Sequence, residues 1–249
     1  MTDSKNIFLT AEWCDLVLLN YVVHRSLLQP FVPQGTTLGS FEGKTYISLV
    51  GFRFCKTKLW GKLSVPFHRD FEEINLRFYV HRAVGGKLRR GVVFIKEIVP
   101  KPAIALTARL VYGENYVSLP TKHRVVSTGD KREVEYSWRH RGNWSRLFAR
   151  SEVASKLPAE NSLEQYITEH YWGYSRQKSG RTLEYHVTHV PWSVQVASEA
   201  RFEGDATALY GQDLAEILSR PPDSAYIAEG SPIEVLAGAQ IERISPEVS

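Results

Sequence analysis

Alternation of apolar and polar positions is cleanest between residues 73 and 81. In an extended chain Ile74, Leu76, Phe78 and Val80 share one face, while Asn75, Arg77, Tyr79 and His81 share the other, with Glu73 in line. Runs rich in Val, Ile, Tyr and Phe, punctuated by turn residues, predict strands over 16–23, 45–54, 74–81, 91–99, 104–112, 124–128, 133–138, 182–189, 225–228 and 233–236. Thr128-Gly129-Asp130-Lys131 reads as a hairpin turn, with Gly129 free to take positive φ.

Helical signals are few. The S-x-x-Q pattern from Ser162 to Gln165 is a capping box that predicts a short helix toward His170. Leu209, Leu214, Ile217 and Leu218 form a loose helical stripe that ends before Pro221, and residues 26–31 read as a helical turn stopped by Pro33. Many strands and few helices imply a mostly β chain, a β-rich α+β arrangement of antiparallel sheet with peripheral helices.

The polar row over 73–81 has two readings. Half-buried antiparallel sheets commonly turn one face to water, which would make the row a wet surface. Against this, residues 91–95 are apolar on both faces, as in a strand buried on both sides, and a neighbour of such a strand is poorly placed to face bulk solvent. Glu73 and Arg77 would then be buried charges in need of partners. Lys96 and Glu97 interrupt the next apolar run and point to opposite faces, so one of the two faces any interior. Arg109 is isolated within the apolar segment 104–112, and Glu114 and Tyr116 alternate just beyond it. Each of these fits a surface ion pair or a pocket lining.

Composition narrows the class. With 249 residues, 43% hydrophobic and 23% charged, the chain has globular composition and length for one core, so a single domain over 1–249 is expected, its core running from about 13 to 236. Cys14 and Cys55 form no CxxC pair and suit free thiols in a reducing compartment. The N-terminal residues carry no secretory pattern, and no run approaches about 20 apolar residues, so a cytoplasmic protein without membrane contact is expected. The net charge of +4 is scattered, and no helix-turn-helix, zinc-finger or RNP-like pattern accompanies it, so no nucleic acid partner is expected.

His186 and His189 point to opposite faces of a strand, while His68, His81 and His170 lie on separate segments, so no metal site is expected. No Gly-x-Ser-x-Gly elbow, GxGxxG or P-loop is present, and no cofactor is expected.

Longer stretches carry a family resemblance. Residues 66–80, Pro-Phe-His-Arg-Asp-Phe-Glu-Glu-Ile-Asn-Leu-Arg-Phe-Tyr-Val, resemble the hallmark of the YqjF-like family of uncharacterised bacterial proteins. Residues 89–97, 108–116 and 169–174 match it as well. That family is in turn similar to acetoacetate decarboxylases, which implies a cone-shaped, mostly antiparallel β-barrel with an interior pocket. In those enzymes an active-site lysine forms a Schiff base with a β-keto acid, assisted by a glutamate and an arginine.

By this resemblance Glu73 takes the place of the decarboxylase glutamate, and Arg109 and Gly113 fit the decarboxylase pattern Gly-Arg-Glu…Gly-Phe-Pro-Lys-Lys. Where the lysine is expected the chain has Tyr116 or Val117, and neither side chain supplies the amine that Schiff-base chemistry requires. Lys96 is the remaining candidate amine near the polar strand.

The expected site is therefore a pocket for a small organic acid, oxo or carboxylic, lined by Glu73, Arg77, Tyr79, Arg109, Glu114 and Tyr116. Arg77 or Arg109 would pair with a carboxylate, and Glu73 would act as acid or base. A binding protein, a lyase acting on oxo acids and a structural protein all remain open, as does a homo-oligomer.

Overall fold

The computed structural model describes residues 7–64 and 68–241. Pro66 and Phe67 of the hallmark and the polar tail beyond Ile244 lie outside them. Seven strands form a closed ring. β1 (Ile7–Val23) pairs with β3 (Thr45–Leu59), β3 with β4 (Phe71–Val84), and β4 with β5 (Lys87–Val99), all antiparallel. β5 runs parallel to β10 (Trp172–Arg176), and β10 is antiparallel to β11 (Thr182–Thr188). β11 meets β14 (Ser224–Leu236) through Val187↔Val235 and Thr188↔Glu234, and β14 returns to β1. Closure removes the exposed edges of an open sheet. Short strands β2 (Thr37–Leu38), β6 (Tyr116–Ser118), β12 (Val194–Val196) and β15 (Ala239–Gln240) add to the rim.

A second sheet has the order β13 (Glu199–Glu203), β9 (Asn143–Ser151), β8 (Lys131–His140), β7 (Thr121–Thr128). It covers one outer side of the ring. Ile74, Leu76, Phe78 and Val80, the apolar face read from sequence, pack there with Tyr136, Trp138 and Leu147. Leu214, Ile217 and Leu218 of α5 (Gln212–Leu218), which follows the short α4 (Thr207–Tyr210), complete the same cluster. The hairpin turn at Gly129 joins β7 and β8 with φ 58°.

The predicted helical turn after Ser26 is α1 (Arg25–Leu28) followed by a 3-10 turn at Gln29–Phe31. The capping box opens α3 (Leu163–Thr168): Ser162 Oγ accepts from the Gln165 N–H, while the Gln165 side chain accepts from the Asn161 N–H.

Several segments differ from the sequence expectation, among them β10, β13 and the short strands β2, β6, β12 and β15, where no strand is predicted. The predicted strand 104–112 is a helix, α2 (Pro102–Val111). Pro102 occupies the first turn, where its missing N–H costs nothing, and Ala and Leu are stronger helix formers than strand formers. The predicted strands 225–228 and 233–236 are one strand, β14. Gly230 (φ 90°) carries the chain across the gap, and a Cβ there would meet the Trp13 carbonyl oxygen at 1.9 Å. β9 was not anticipated because its inward side chains are Ser145, Leu147, Ala149 and Ser151, too small and polar to read as a buried strand.

Gly173 marks another close approach in the ring, since a Cβ there would lie 2.0 Å from Tyr185 Cζ. Gly173→Ala is expected to destabilise the fold by about 1–3 kcal/mol, as overpacked cores do. The expected readout is a lower urea midpoint at unchanged slope, and an unchanged midpoint would mean that Tyr185 moves aside freely.

Candidate functional site

A cavity of about 300 Å³ is lined from all seven ring strands, for example by Trp13, Phe52, Glu73, Glu97, Tyr185 and Val235. That is at the small end of ligand pockets. Ala103, Ile104, Thr107 and Ala108 of α2 add a further wall. The helix therefore covers the pocket where the sequence suggested another strand.

Glu73, Asn75 and Arg77 of the polar row all line the cavity, and all are buried, at 3%, 2% and 8% exposure. The wet-face reading of these residues fails at that point. Opposite them on β5 the register slips by one residue. Asn75 pairs with Glu97 and Leu76 with Lys96, but Arg77 pairs with Phe94, leaving Ile95 as the extra residue of a β-bulge. Strict alternation from Val92 and Phe94 would have turned Lys96 inward. The bulge instead turns Glu97 into the cavity and leaves Lys96 on the far face, beside Leu76. Lys96, the candidate amine, does not line the pocket.

Two other expected residues also sit elsewhere. Arg109, on α2 rather than on a strand, donates from Nε to the Tyr116 carbonyl at 2.7 Å and through Nη2 to the same oxygen. It holds the Tyr116 backbone in place and is not a cavity residue. Tyr79 is buried on the Arg77 side of β4, but its ring stacks on His170 at 4.6 Å and its hydroxyl bonds Ser48 Oγ, so it supports the site from below the lining.

Glu114 and Tyr116 do reach the cavity. The Tyr116 hydroxyl donates to Glu73 Oε2 at 3.0 Å and also lies within hydrogen-bonding reach of Glu97. Asn75 Nδ2 donates to Glu73 Oε1 at 3.1 Å, and the Tyr185 hydroxyl donates to Glu114 Oε1 at 2.5 Å. The outcome is three buried glutamates around a knot of tyrosines.

Desolvation dominates their electrostatics, because burial disfavours the charged carboxylate. It pushes Glu73 up to about 7 against the opposing pull of Asn75, Tyr116 and Arg77. Glu114 rises to about 8, through burial first and the nearby Glu73 charge as well. Glu97 lies well above the usual carboxylate range, raised by burial and by both other glutamates. His170 moves the other way: burial and the Arg77 charge hold it well below its ordinary value, so it is a neutral imidazole.

Sequence reasoning overlooked His170 as a lining residue, along with Tyr112 and Tyr185. His170 could have been found only from the predicted helix that ends beside it. Among the described residues no group of three or more His, Cys, Asp or Glu side chains has an arrangement that would hold a metal ion. No helix among them is long and apolar enough to cross a membrane.

Several buried polar atoms of the lining have no partner among the described residues. Arg77 Nε and Trp13 Nε1 are donors, Asn75 Oδ1 and Glu97 Oε2 are acceptors, and His170 Nδ1 and the Tyr112 hydroxyl complete the set. Unsatisfied buried groups are costly, and their convergence on one cavity marks a place where something else completes the hydrogen bonding.

With this geometry in view, the family model for the DUF2071 group, described as uncharacterized conserved proteins, matches residues 10–232. The chain belongs to this family. It is 25% identical over 207 residues to the uncharacterized protein YqjF of Bacillus subtilis (strain 168), covering 82% of each chain. Solved structures share the fold. The enduracididine biosynthesis enzyme MppR complexed with pyruvate superposes with a TM-score of 0.67 at 15% identity, covering 97% of this chain and 93% of that one. The acetoacetate decarboxylase of Legionella pneumophila subsp. pneumophila str. Philadelphia 1 gives 0.66 at 11% identity, over 95% and 88%. The DUF2071 chain thus has an acetoacetate decarboxylase-like fold, as the sequence resemblance implied.

Proposed function

We propose that this protein binds a small organic acid, oxo or carboxylic, in the ring cavity, with Arg77 receiving its carboxylate and without a Schiff-base lysine. The observation that carries the reading is the unpartnered Arg77 Nε, buried beside the cavity in a guanidinium whose Nη2 is already held by the Ile167 carbonyl at 3.2 Å. A planar guanidinium with a free donor suits a carboxylate, and the phenylalanines and tryptophans of the lining suit a hydrocarbon body. That MppR is complexed with pyruvate in the same fold agrees with an oxo acid as ligand.

A second reading, acid–base catalysis on such an acid, rests on Glu73. A carboxyl titrating near 7 with a tyrosine hydroxyl 3.0 Å away is suited to exchange a proton with a bound ligand at neutral pH. The lyase alternative therefore uses Glu73 as its acid or base.

Thermal denaturation with a panel of short carboxylic and 2-oxo acids, each paired with its methyl ester, tests the binding reading. The acids are expected to raise the melting temperature with concentration and the esters are not, because only N-state binding of the anion adds stability. Equal shifts for acid and ester would remove Arg77 from the account.

A further inference from the structure

We infer that the acid bound at Arg77 also carries a cationic nitrogen, and that Glu73, Glu97 and Glu114 together form the receptor for that protonated amine or guanidinium. This rests on the carboxylate reading above and adds the second half of the ligand. The three carboxyls arrive from β4, β5 and the turn before β6, so the fold gathers them without any being a sequence neighbour of another. They are 3%, 1% and 9% exposed.

Three buried acids in one cavity are unfavourable to assemble, and a pocket meant only for an anion gains nothing from them. Among the described residues Arg77 is the one cation acting appreciably on the triad, through Glu73; around Glu97 and Glu114 the charged neighbours are the other glutamates. The polar groups facing the triad from the surrounding elements are Asn75, Tyr112, Tyr116 and Tyr185, with His68 and the neutral His170 elsewhere in the lining.

The unpartnered atoms point the same way. Asn75 is 2% exposed and its Oδ1 can only accept, as can Glu97 Oε2 once that carboxyl is ionised, so each asks for a donor from the ligand. The tyrosine rings beside them offer π faces that also attract cations. The carboxyls do not form a group fit for a metal ion among the described residues, which leaves an organic cation as the species such a triad takes. Without a bound cation, protons take its place on the carboxyls, consistent with the raised titration of all three glutamates. Binding a cation therefore expels protons, whereas binding a simple acid does not.

Titration calorimetry at pH 7.5, run in phosphate and again in Tris, tests this with three sets of probes. These are straight-chain ω-amino acids of four to six carbons, the alkanoic acids of matching length, and the matching alkylamines. The expected result is an ω-amino acid binding at least tenfold more tightly than its alkanoic acid, with proton release revealed by the buffer dependence of the heat. In Glu97→Gln/Glu114→Gln that ratio is expected to fall to twofold or less, and Glu114→Gln alone, which keeps the shape of the lining, should lower it part-way.

Alkanoic acids binding as tightly as the amino acids, without proton release, would overturn the cation receptor and leave the carboxylate reading intact. Alkylamines binding while neither acid binds would overturn the carboxylate reading and keep the receptor. No binding by any probe would overturn both.

Discussion

Raising the pH from 6 to 9 is expected to lower the melting temperature markedly, and Glu114→Gln is expected to recover a large part of the loss. In the folded protein Glu114 keeps its proton up to about 8 and Glu73 up to about 7, while in the unfolded chain both give it up near the ordinary value of 4.5. Between those limits the folded state binds more protons, so stability falls as pH rises. Each pH unit costs about 1.4 kcal/mol per such group, so Glu114 alone would remove about 3 kcal/mol between pH 6 and 8.

For a chain of this length that is a drop of roughly 10 °C in melting temperature. On the acid side the order reverses. His170 and His189, both held below their ordinary value by burial, stay neutral in the folded state while the unfolded chain takes up protons below about 6.5. Below that point the histidines offset the glutamates, and a plateau is expected near pH 5 to 6.5. Melting curves of the wild type and Glu114→Gln across pH 5–9 check this, and parallel profiles would show that Glu114 is not a buried acid.

The second large effect concerns Arg77. Arg77→Met is expected to weaken the binding of short carboxylic acids by about a hundredfold, which corresponds to the 2–5 kcal/mol typical of removing one member of a buried, hydrogen-bonded charge pair. The fold itself is expected to lose about 1–3 kcal/mol, because the Ile167 carbonyl loses its donor and Glu73 its cationic neighbour, so affinity is read at a temperature where the variant is folded. A further consequence lies in Glu73. The Arg77 charge holds the Glu73 carboxyl down against desolvation, so its loss should raise that titration above about 7. Infrared titration of the buried carboxyls would read the shift, and calorimetry would read the affinity. Unchanged affinity in Arg77→Met would mean that the carboxylate sits elsewhere in the cavity.

How much of this was legible beforehand depends on how local the signal is. The alternation over 73–81 placed Glu73, Asn75 and Arg77 on a common face, and the structure lines the cavity with all three. The same logic failed for Tyr79, which lies two residues further along but beneath the cavity, packed on His170 and Tyr166. It failed for Arg109 because an apolar run of nine residues does not distinguish a strand from a helix, and the helix aims that guanidinium at the Tyr116 carbonyl. The family resemblance supplied the barrel expectation, and the closed ring and its structural relatives agree with it.

Sequence by itself determined the period-two pattern of the strands, the capped turn at Ser162, the glycine turn at Gly129 and the absence of lysine at positions 116 and 117, since each of these is a property of neighbouring residues. Only the tertiary structure decided which of Lys96 and Glu97 enters the pocket. That choice hangs on one extra residue at Ile95, whose position is set by how β5 must bend to stay paired with β4 while the ring closes through β11 and β14. Ring closure is a condition on seven strands at once. No window along the chain contains it, and it is what brings Glu73 of that polar row into one cavity with Glu97 and Glu114.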